Sequence, residues 1–292
     1  MSIDNAKIQE YRDSVIHLAQ QGDARVRPTV TEVSSSAEFY NWDRLAATDA
    51  EERTKTNRNK ETLVIDEEFT RRTSTPRVFE HNFTFEDYDK AEMAIDPQSS
   101  YAENQGMSMR RAYDSVCIEA ATADALEDGV ASPLPAGQII GDGSSEISFN
   151  ALTVIQRKFM DAEIFPDTPK VAVIGPAQVQ KLMQLTEQTS ADYVNREALQ
   201  RLNATGIVPN WMGFTWIVSN LLTAPAANEL YCLFYTKMAI GLQVNMNMKV
   251  RVGENPDKSY NWNVFSQFSA GAVRVEDEHI VVGHFADPAP AL

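Results

Sequence analysis

The chain has 292 residues, 43% of them hydrophobic and 23% charged, which is typical of a globular protein that buries a substantial core. Its net charge of -15 argues against general binding of nucleic-acid phosphates or anionic membranes. No apolar run reaches the roughly 20 residues of a spanning helix, and the first residues lack a signal pattern. We therefore expect a soluble protein that is not secreted.

The first 45 residues predict an N-terminal arm. Apolar residues recur at helical spacing over residues 8–18, and Gly22 follows as a stop signal. The Val-, Thr- and Ser-rich stretch 25–36 then suits an extended segment, with Trp42 and Leu45 as apolar anchors at its far end.

An extended hairpin loop is predicted over residues 46–82. Apolar residues alternate up to Phe69 and again over residues 79–85, so residues 70–76 would form the turn. A lone two-stranded ribbon is marginal in water, so this one is either mobile or docked on a neighbouring copy. Its balanced charges favour docking. The predicted inter-subunit contacts are Trp42, Arg53, Arg58, Glu67, Glu68, Arg71 and Arg72.

A long helix is predicted to begin at Pro97, after the capping residue Asp96, and to end near Asp128. Residues 129–143 are rich in glycine and proline and indicate a domain boundary. The expected division gives a peripheral domain of residues 83–130 and 244–292 and an axial domain of residues 131–243.

The axial part alternates predicted helices and strands, which is typical of an α/β or α+β unit. The helices are 149–161, 176–186 and 192–203, and the strands are 170–174, 214–218 and 230–235.

From Gly241 the hydrophobic period switches to two, which predicts closing strands through residue 282. Met246 and Met248 are predicted core residues of these strands. The long helix is the best candidate to cover them, so one domain would be built from both sides of an inserted one.

The sequence offers little for catalysis. Cys117 and Cys232 lie in apolar stretches and read as buried thiols, although a disulfide stays open. Residues 141–145 form a glycine-rich loop without a dinucleotide or phosphate fingerprint. The acidic runs Glu67-Glu68 and 276–278 suit solvated faces. We predict no catalytic residue, no metal and no cofactor.

Several segments resemble the major capsid proteins of tailed bacteriophages, especially short-tailed ones. Those resembling the entry to the family's spine helix are 87–91, 95–101 and 109–114. Those similar to its axial domain are 191–195, Leu199, Gly206, Gly213-Phe214 and Ser219-Asn220.

The resemblance implies an α+β phage major capsid fold of the Hong Kong phage type, with N-terminal arm, extended hairpin loop, peripheral domain with spine helix, and inserted axial domain. It implies hexamers and pentamers closing an icosahedral shell around double-stranded DNA, without sequence-specific DNA binding or a membrane. It further implies a scaffolding protein, a portal, a place in the virion capsid, and host cytoplasm during assembly. In some relatives a loop lysine forms a covalent cross-link, and nothing marks Lys55 or Lys60 for that role.

Three other hypotheses stay open at this point. One is an encapsulin-like compartment of the same fold, which would hold enzymes instead of a genome. Another is an α+β enzyme with an unrecognised site, for instance around Asp142, Asp161 and Glu163. The third is a minor virion component such as a tail or scaffold protein.

Overall fold

A computed structural model describes residues 20–50, 52, 64, 67–86, 97–165, 167–184 and 207–288. The predicted helices at 8–18 and 192–203, and the hairpin residues Arg53, Lys55, Arg58 and Lys60, lie outside these ranges. No helix of the described residues is long and apolar enough to cross a bilayer.

The described residues form three α-helices and fourteen strands. The helices are α1 (Pro97–Thr122), α2 (Phe149–Asp161) and α3 (Pro176–Gln184). The strands are β1 (Thr31–Ser34), β2 (Tyr40–Leu45), β3 (Phe69–Ser74), β4 (Arg77–Phe85), β5 (Ala125–Glu127), β6 (Val130–Ser132), β7 (Ile139–Ile140), β8 (Lys170–Ile174), β9 (Ile207–Trp211), β10 (Phe214–Val218), β11 (Glu229–Thr236), β12 (Ile240–Asn255), β13 (Asn261–Arg274) and β14 (Ile280–Ala286).

The first sheet has the order β1-β12-β13-β4, and α1 packs on one of its faces. The ring of Tyr113 in α1 stacks on Phe268 of β13, with centroids 4.0 Å apart, and Phe268 stacks on Phe79 of β4. The buried amide of Gln105 donates to the carbonyl of Val264. The prediction that the long helix covers the closing strands is therefore confirmed for β13 and for part of β12.

Two details of this layer differ from the prediction. Helix α1 ends at Thr122 rather than near Asp128, because Ala125–Glu127 pairs as strand β5. Met246 is only half-buried and Met248 is exposed, in the part of β12 that extends beyond its pairing with β1 at Gly241–Val244. The core role predicted for Met246 and Met248 is wrong, because a period of two identifies one face of a strand and not what covers that face.

The second sheet has the order β7-β14-β11-β8-β10-β9. Strands β8, β10 and β11 and helix α2 fall where they are predicted, and α3 follows the predicted proline start through Gln184. Its core includes the fully buried rings of Phe214, Trp216 and Phe234. Strand β14 pairs with β11 in this sheet, although the expected division assigned residues 280–286 to the peripheral part.

The third sheet, β2-β3-β5-β6, contains part of the predicted hairpin loop. The turn predicted at residues 70–76 is wrong, because Phe69–Ser74 forms a strand. Strand β3 pairs with β2 and β5, whereas β4 pairs with β13 in the first sheet. The polar composition of β3 was misleading, since its Thr and Arg side chains pair across strands.

Both cysteines are free and buried, as predicted for structural thiols. Burial raises the pKa of Cys117, and it raises the pKa of Cys232 to about 12. Such thiols are unreactive near neutral pH.

Candidate inter-subunit surface

Strands β2 and β3 pair antiparallel and form the ribbon, whose outer face faces solvent. Three directly opposed pairs line that face: Asn41 with Thr73, Asp43 with Arg71, and Leu45 with Phe69. Thr73 donates to Asn41 across 2.9 Å, and Arg71 Nε lies 2.8 Å from a carboxylate oxygen of Asp43.

The end of the ribbon nearest residues 46–68 carries an exposed apolar pair. Leu45 is 60% exposed and Phe69 is 56% exposed, and their opposed positions place both on one face. Glu67 and Glu68 are exposed directly before this pair. An apolar contact bordered by charge is the composition expected of a docking surface.

The inner face of the ribbon packs against the first sheet of the same chain. The indole of Trp42 lies over Gly241, where an added Cβ would come within 2.5 Å of the ring. Trp42 Nε1 donates to Ser74 Oγ, which in turn donates to Gln243 across 3.0 Å. Trp42 thus anchors the ribbon on its own subunit.

Beneath the ribbon lies a cluster of charged side chains, here called the base cluster, made of Arg44, Arg72, Glu127, Arg274 and Asp277. Arg72 donates to both Asp277 oxygens, at 2.8 and 2.7 Å, and to Glu127 at 3.0 Å. Arg44 is also paired with Glu127. Arg274 donates to Asp277 and to the carbonyl oxygens of Ala123 and Ser132.

The electrostatics of the base cluster follow from its burial, since Arg72 is 1% exposed and Arg274 is fully buried. Burial alone raises the pKa of Asp277, but hydrogen bonds from Arg72 and Arg274 outweigh it, so the pKa is lowered. Burial likewise lowers the pKa of Arg72, and its carboxylate partners raise it above the ordinary value. Arg72 and Asp277 are therefore both charged at neutral pH, and the cluster joins β2, β3, β5 and β13.

The predicted contact residues therefore separate into different places. Glu67, Glu68 and Arg71 lie exposed at the outer face or end of the ribbon. The contact role predicted for Arg72 is corrected. Arg72 follows Arg71 in β3, so its side chain points to the opposite face of the ribbon, and it is buried in its own subunit. Trp42 is half-buried in the same chain, and Arg53 and Arg58 lie outside the described residues.

Arg274 and Asp277 were not predicted as site residues from the sequence. The run 276–278 suggested a solvated face, yet Asp277 accepts from two buried arginines. The sequence signal that could have indicated this ion pair is an arginine at the end of an apolar strand, Arg274, three residues before Asp277.

A third missed residue, the fully buried Asp114 of α1, holds the N-terminal arm. Its carboxylate accepts from the backbone amides of Arg25, Val26 and Arg27, at 2.7, 3.0 and 3.1 Å, and from Gln21 Nε2. Arg27 then lies over the ring of Tyr113.

The glycine-rich loop packs on β14. Gly143 N donates to the carbonyl of His284, and the His284 ring lies 2.8 Å from Glu229. Among the described residues, no three His, Cys, Asp or Glu side chains are grouped to hold a metal ion.

Comparison with known proteins identifies the class of fold. The Mycobacterium phage Che8 structure aligns with TM-score 0.73 at 13% identity, covering 97% of this chain and 98% of that one. The cyanophage P-SCSP1u capsid aligns with TM-score 0.74 at 14% identity, covering 99% of this chain and 95% of that one. The Ralstonia phage GP4 capsid aligns with TM-score 0.70 at 11% identity, covering 100% of this chain and 98% of that one. At these identities the likeness shows the fold of phage major capsid proteins.

The family follows from the sequence profile of phage capsid proteins, which matches residues 3–287. The chain belongs to the phage capsid protein family and is a structural protein of the capsid shell. No curated protein sequence matches it significantly.

Proposed function

We propose that this chain is the major capsid protein of an icosahedral shell of hexamers and pentamers around double-stranded DNA, and that the outer face of the ribbon makes contacts between subunits. The observation that carries the docking role is the Leu45–Phe69 pair, more than half exposed on a ribbon whose inner face is fixed to its own subunit.

The way the ribbon is held supports this role. The base cluster and Trp42 fix its inner face, so the outer face is presented in one orientation before any neighbour arrives. Preorganisation lowers the entropy lost on association, and a subunit with several neighbours gains further from multivalency. Weak individual contacts are then sufficient for a stable shell.

The proposal includes the division into N-terminal arm, extended loop, peripheral and axial domains, with residues 280–286 counted with the axial domain because β14 pairs with β11. It also includes assembly in the host cytoplasm with a scaffolding protein and a portal, and a purely structural role without catalysis. The acidic chain suits a container for DNA, because a strongly basic wall would hold packaged phosphates tightly.

Electron microscopy and sedimentation of the expressed full-length chain test the docking role. We expect closed particles from the native sequence and few from the double variant Leu45→Ser, Phe69→Ser, whose unassembled chain should still unfold cooperatively. Met238→Ser is the control, because it removes an equally exposed apolar side chain outside the ribbon. Particles from the double variant in native yield would contradict the docking role.

The enclosed content is tested separately. Nuclease-protected double-stranded DNA in particles from infected cells would support the genome container. An enzyme cargo in its place would support the encapsulin-like alternative.

A further inference from the structure

An open cavity of about 530 Å³ lies where the arm, α1 and the second sheet meet. Its lining includes Gln20, Gln21, Arg25, Arg111, Ser219 and Asn220. The cavity adjoins the carboxyl ends of the parallel strands β8 and β10, since Pro176 lies two residues after the end of β8 and Ser219 directly follows β10. Ligand crevices of α/β sheets occur at such ends.

The two arginines of this cavity differ from the other arginines of the described residues. Arg27, Arg44, Arg71, Arg72, Arg77, Arg110, Arg157 and Arg274 each have a carboxylate oxygen within 4.0 Å. Within the described ranges, Arg25, Arg111 and Arg251 have no such partner, and Arg251 is exposed on β12. Arg25 and Arg111 are half-buried and line one cavity.

Each of the two guanidinium groups is held by a neutral acceptor. Arg25 donates from one terminal nitrogen to the carbonyl of Val218 at 2.7 Å, and Arg111 donates from one to the side-chain oxygen of Gln20. A guanidinium has five N–H donors, so both groups have donors left over with respect to the described part of the chain. A half-buried cation without a counter-charge is costly, and an anion between the two would remove that cost.

Two carboxylates of the same region are engaged elsewhere. Asp114 accepts from three backbone amides and from Gln21, and Asp23 pairs with Arg110 at 3.0 Å. Among the residues that the structure describes, the positive charge of the cavity is therefore not neutralised by nearby acids, in a chain of net charge -15.

We propose that this cavity binds a small oxyanion, a phosphate or a carboxylate, between Arg25 and Arg111. Paired N–H donors of arginine match the oxygens of such anions, and the Gln20, Gln21 and Asn220 amides add neutral donors. Because the cavity touches the arm, α1 and the second sheet, a bound oxyanion would join these parts. The site does not depend on the docking role of the ribbon.

Thermal unfolding of the unassembled full-length chain tests the proposal, with sodium phosphate compared with sodium chloride at equal ionic strength and pH. We expect a saturable stabilisation, with the ratio of folded to unfolded chain rising about 100-fold when phosphate reaches 100 times its Kd. Arg25→Gln and Arg111→Gln should each lose the saturable part. Arg157→Gln should keep it, because Arg157 is an exposed arginine of α2 paired with Asp161.

The control separates binding from the general effect of phosphate. Exclusion of phosphate from protein surfaces stabilises all proteins without saturation. An equal and non-saturating rise in all four proteins would overturn the site. If a glutamine variant does not fold, Arg111→Lys is measured in its place, and phosphate binding is followed by broadening of the phosphate signal in phosphorus NMR. Absence of broadening with the native chain would also overturn the site.

Phosphate binding measured on assembled shells identifies the source of the oxyanion. Phosphate binding that persists in shells identifies a free anion as the ligand. Binding that is present in the free chain and lost in shells identifies a carboxylate of a second copy.

Discussion

The two faces of the ribbon hold neighbouring arginines in opposite surroundings. Arg71 on the outer face pairs with Asp43 at 2.8 Å, with about half of each side chain exposed. Arg72 on the inner face is 1% exposed and pairs with Asp277 at 2.7 Å and Glu127 at 3.0 Å. The two ion pairs have similar lengths, but water screens only the outer one.

This difference separates two roles within one strand. Exposed pairs contribute little to the stability of a subunit, while breaking a buried pair leaves an uncompensated charge. The inner face therefore determines how the ribbon is held, and the outer face is available for contact with other subunits. Changes on the inner face should alter subunit stability, and changes on the outer face should alter assembly.

The largest effect is expected for Arg72→Ala. Removing this guanidinium leaves Asp277 and Glu127 short of a partner, so the free energy of unfolding should fall by about 3–5 kcal/mol. Urea unfolding of the unassembled chain measures it, and Arg71→Ala is the matched control, expected to cost about 0–1 kcal/mol. Equal losses for the two variants would refute the difference between the faces. Charge reversal at both arginines together would test stability and assembly at once.

The next largest effect is expected for Gly241→Ala. The new methyl group would lie 2.5 Å from the Trp42 indole, and such overpacking costs about 1–3 kcal/mol. Gly253→Ala in the same strand is the control, since nothing lies within 4 Å of its added carbon. Urea unfolding and the emission wavelength of tryptophan should change for the first variant only. An unaltered emission spectrum would mean that Trp42 does not rest on Gly241.

The stabilisation that Asp277 contributes to the base cluster should be lost gradually as the pH falls. The pKa of Asp277 is lowered in the folded chain, so its stabilisation is complete above the ordinary carboxylate value of about 4 and is lost as pH falls through the folded value. Below pH 4, stability should fall by up to about 1.4 kcal/mol per pH unit for this proton. Urea unfolding across pH 2–7 checks this, and Asp277→Asn should show a shallower decline from a lower starting stability. An unchanged slope would exclude Asp277 as the titrating group.

The smallest effect on subunit stability is expected for Arg71→Glu. The change should alter the free energy of unfolding by about 1 kcal/mol or less, because the pair with Asp43 is half exposed. Particle yield should nevertheless fall, since the outer face would lose its cation. Arg157→Glu reverses another exposed pair, with Asp161 on α2, and serves as the control in sedimentation. Native particle yield from Arg71→Glu would show that this charge takes no part in contacts.

Much of the fold could be predicted because its signals are local. The start of α1 at Pro97 and the whole of α2, Phe149–Asp161, follow from capping residues and helical spacing. Strand β8 follows from one short apolar run. The order of these parts also carried the resemblance to phage capsid proteins, which the family match confirms.

The site was less predictable because its contacts join residues far apart in the chain. Arg71 and Arg72 are equivalent by composition, and only the pairing of β3 with β2 and β5 decides which one is buried. The partners of Arg72 lie at Glu127 and Asp277, and no local pattern links them. The exposed row after Met246 was missed for a related reason: burial of β12 depends on which distant elements of the chain pack against it.

The sequence by itself determined most helices and strands of this protein, because hydrophobic period, capping residues and proline positions act over a few neighbouring residues. Only the tertiary structure decided which charges are buried and which way the ribbon faces. Burial of a charge depends on counter-charges that the folded chain brings from distant positions, and these are set by sheet order and register.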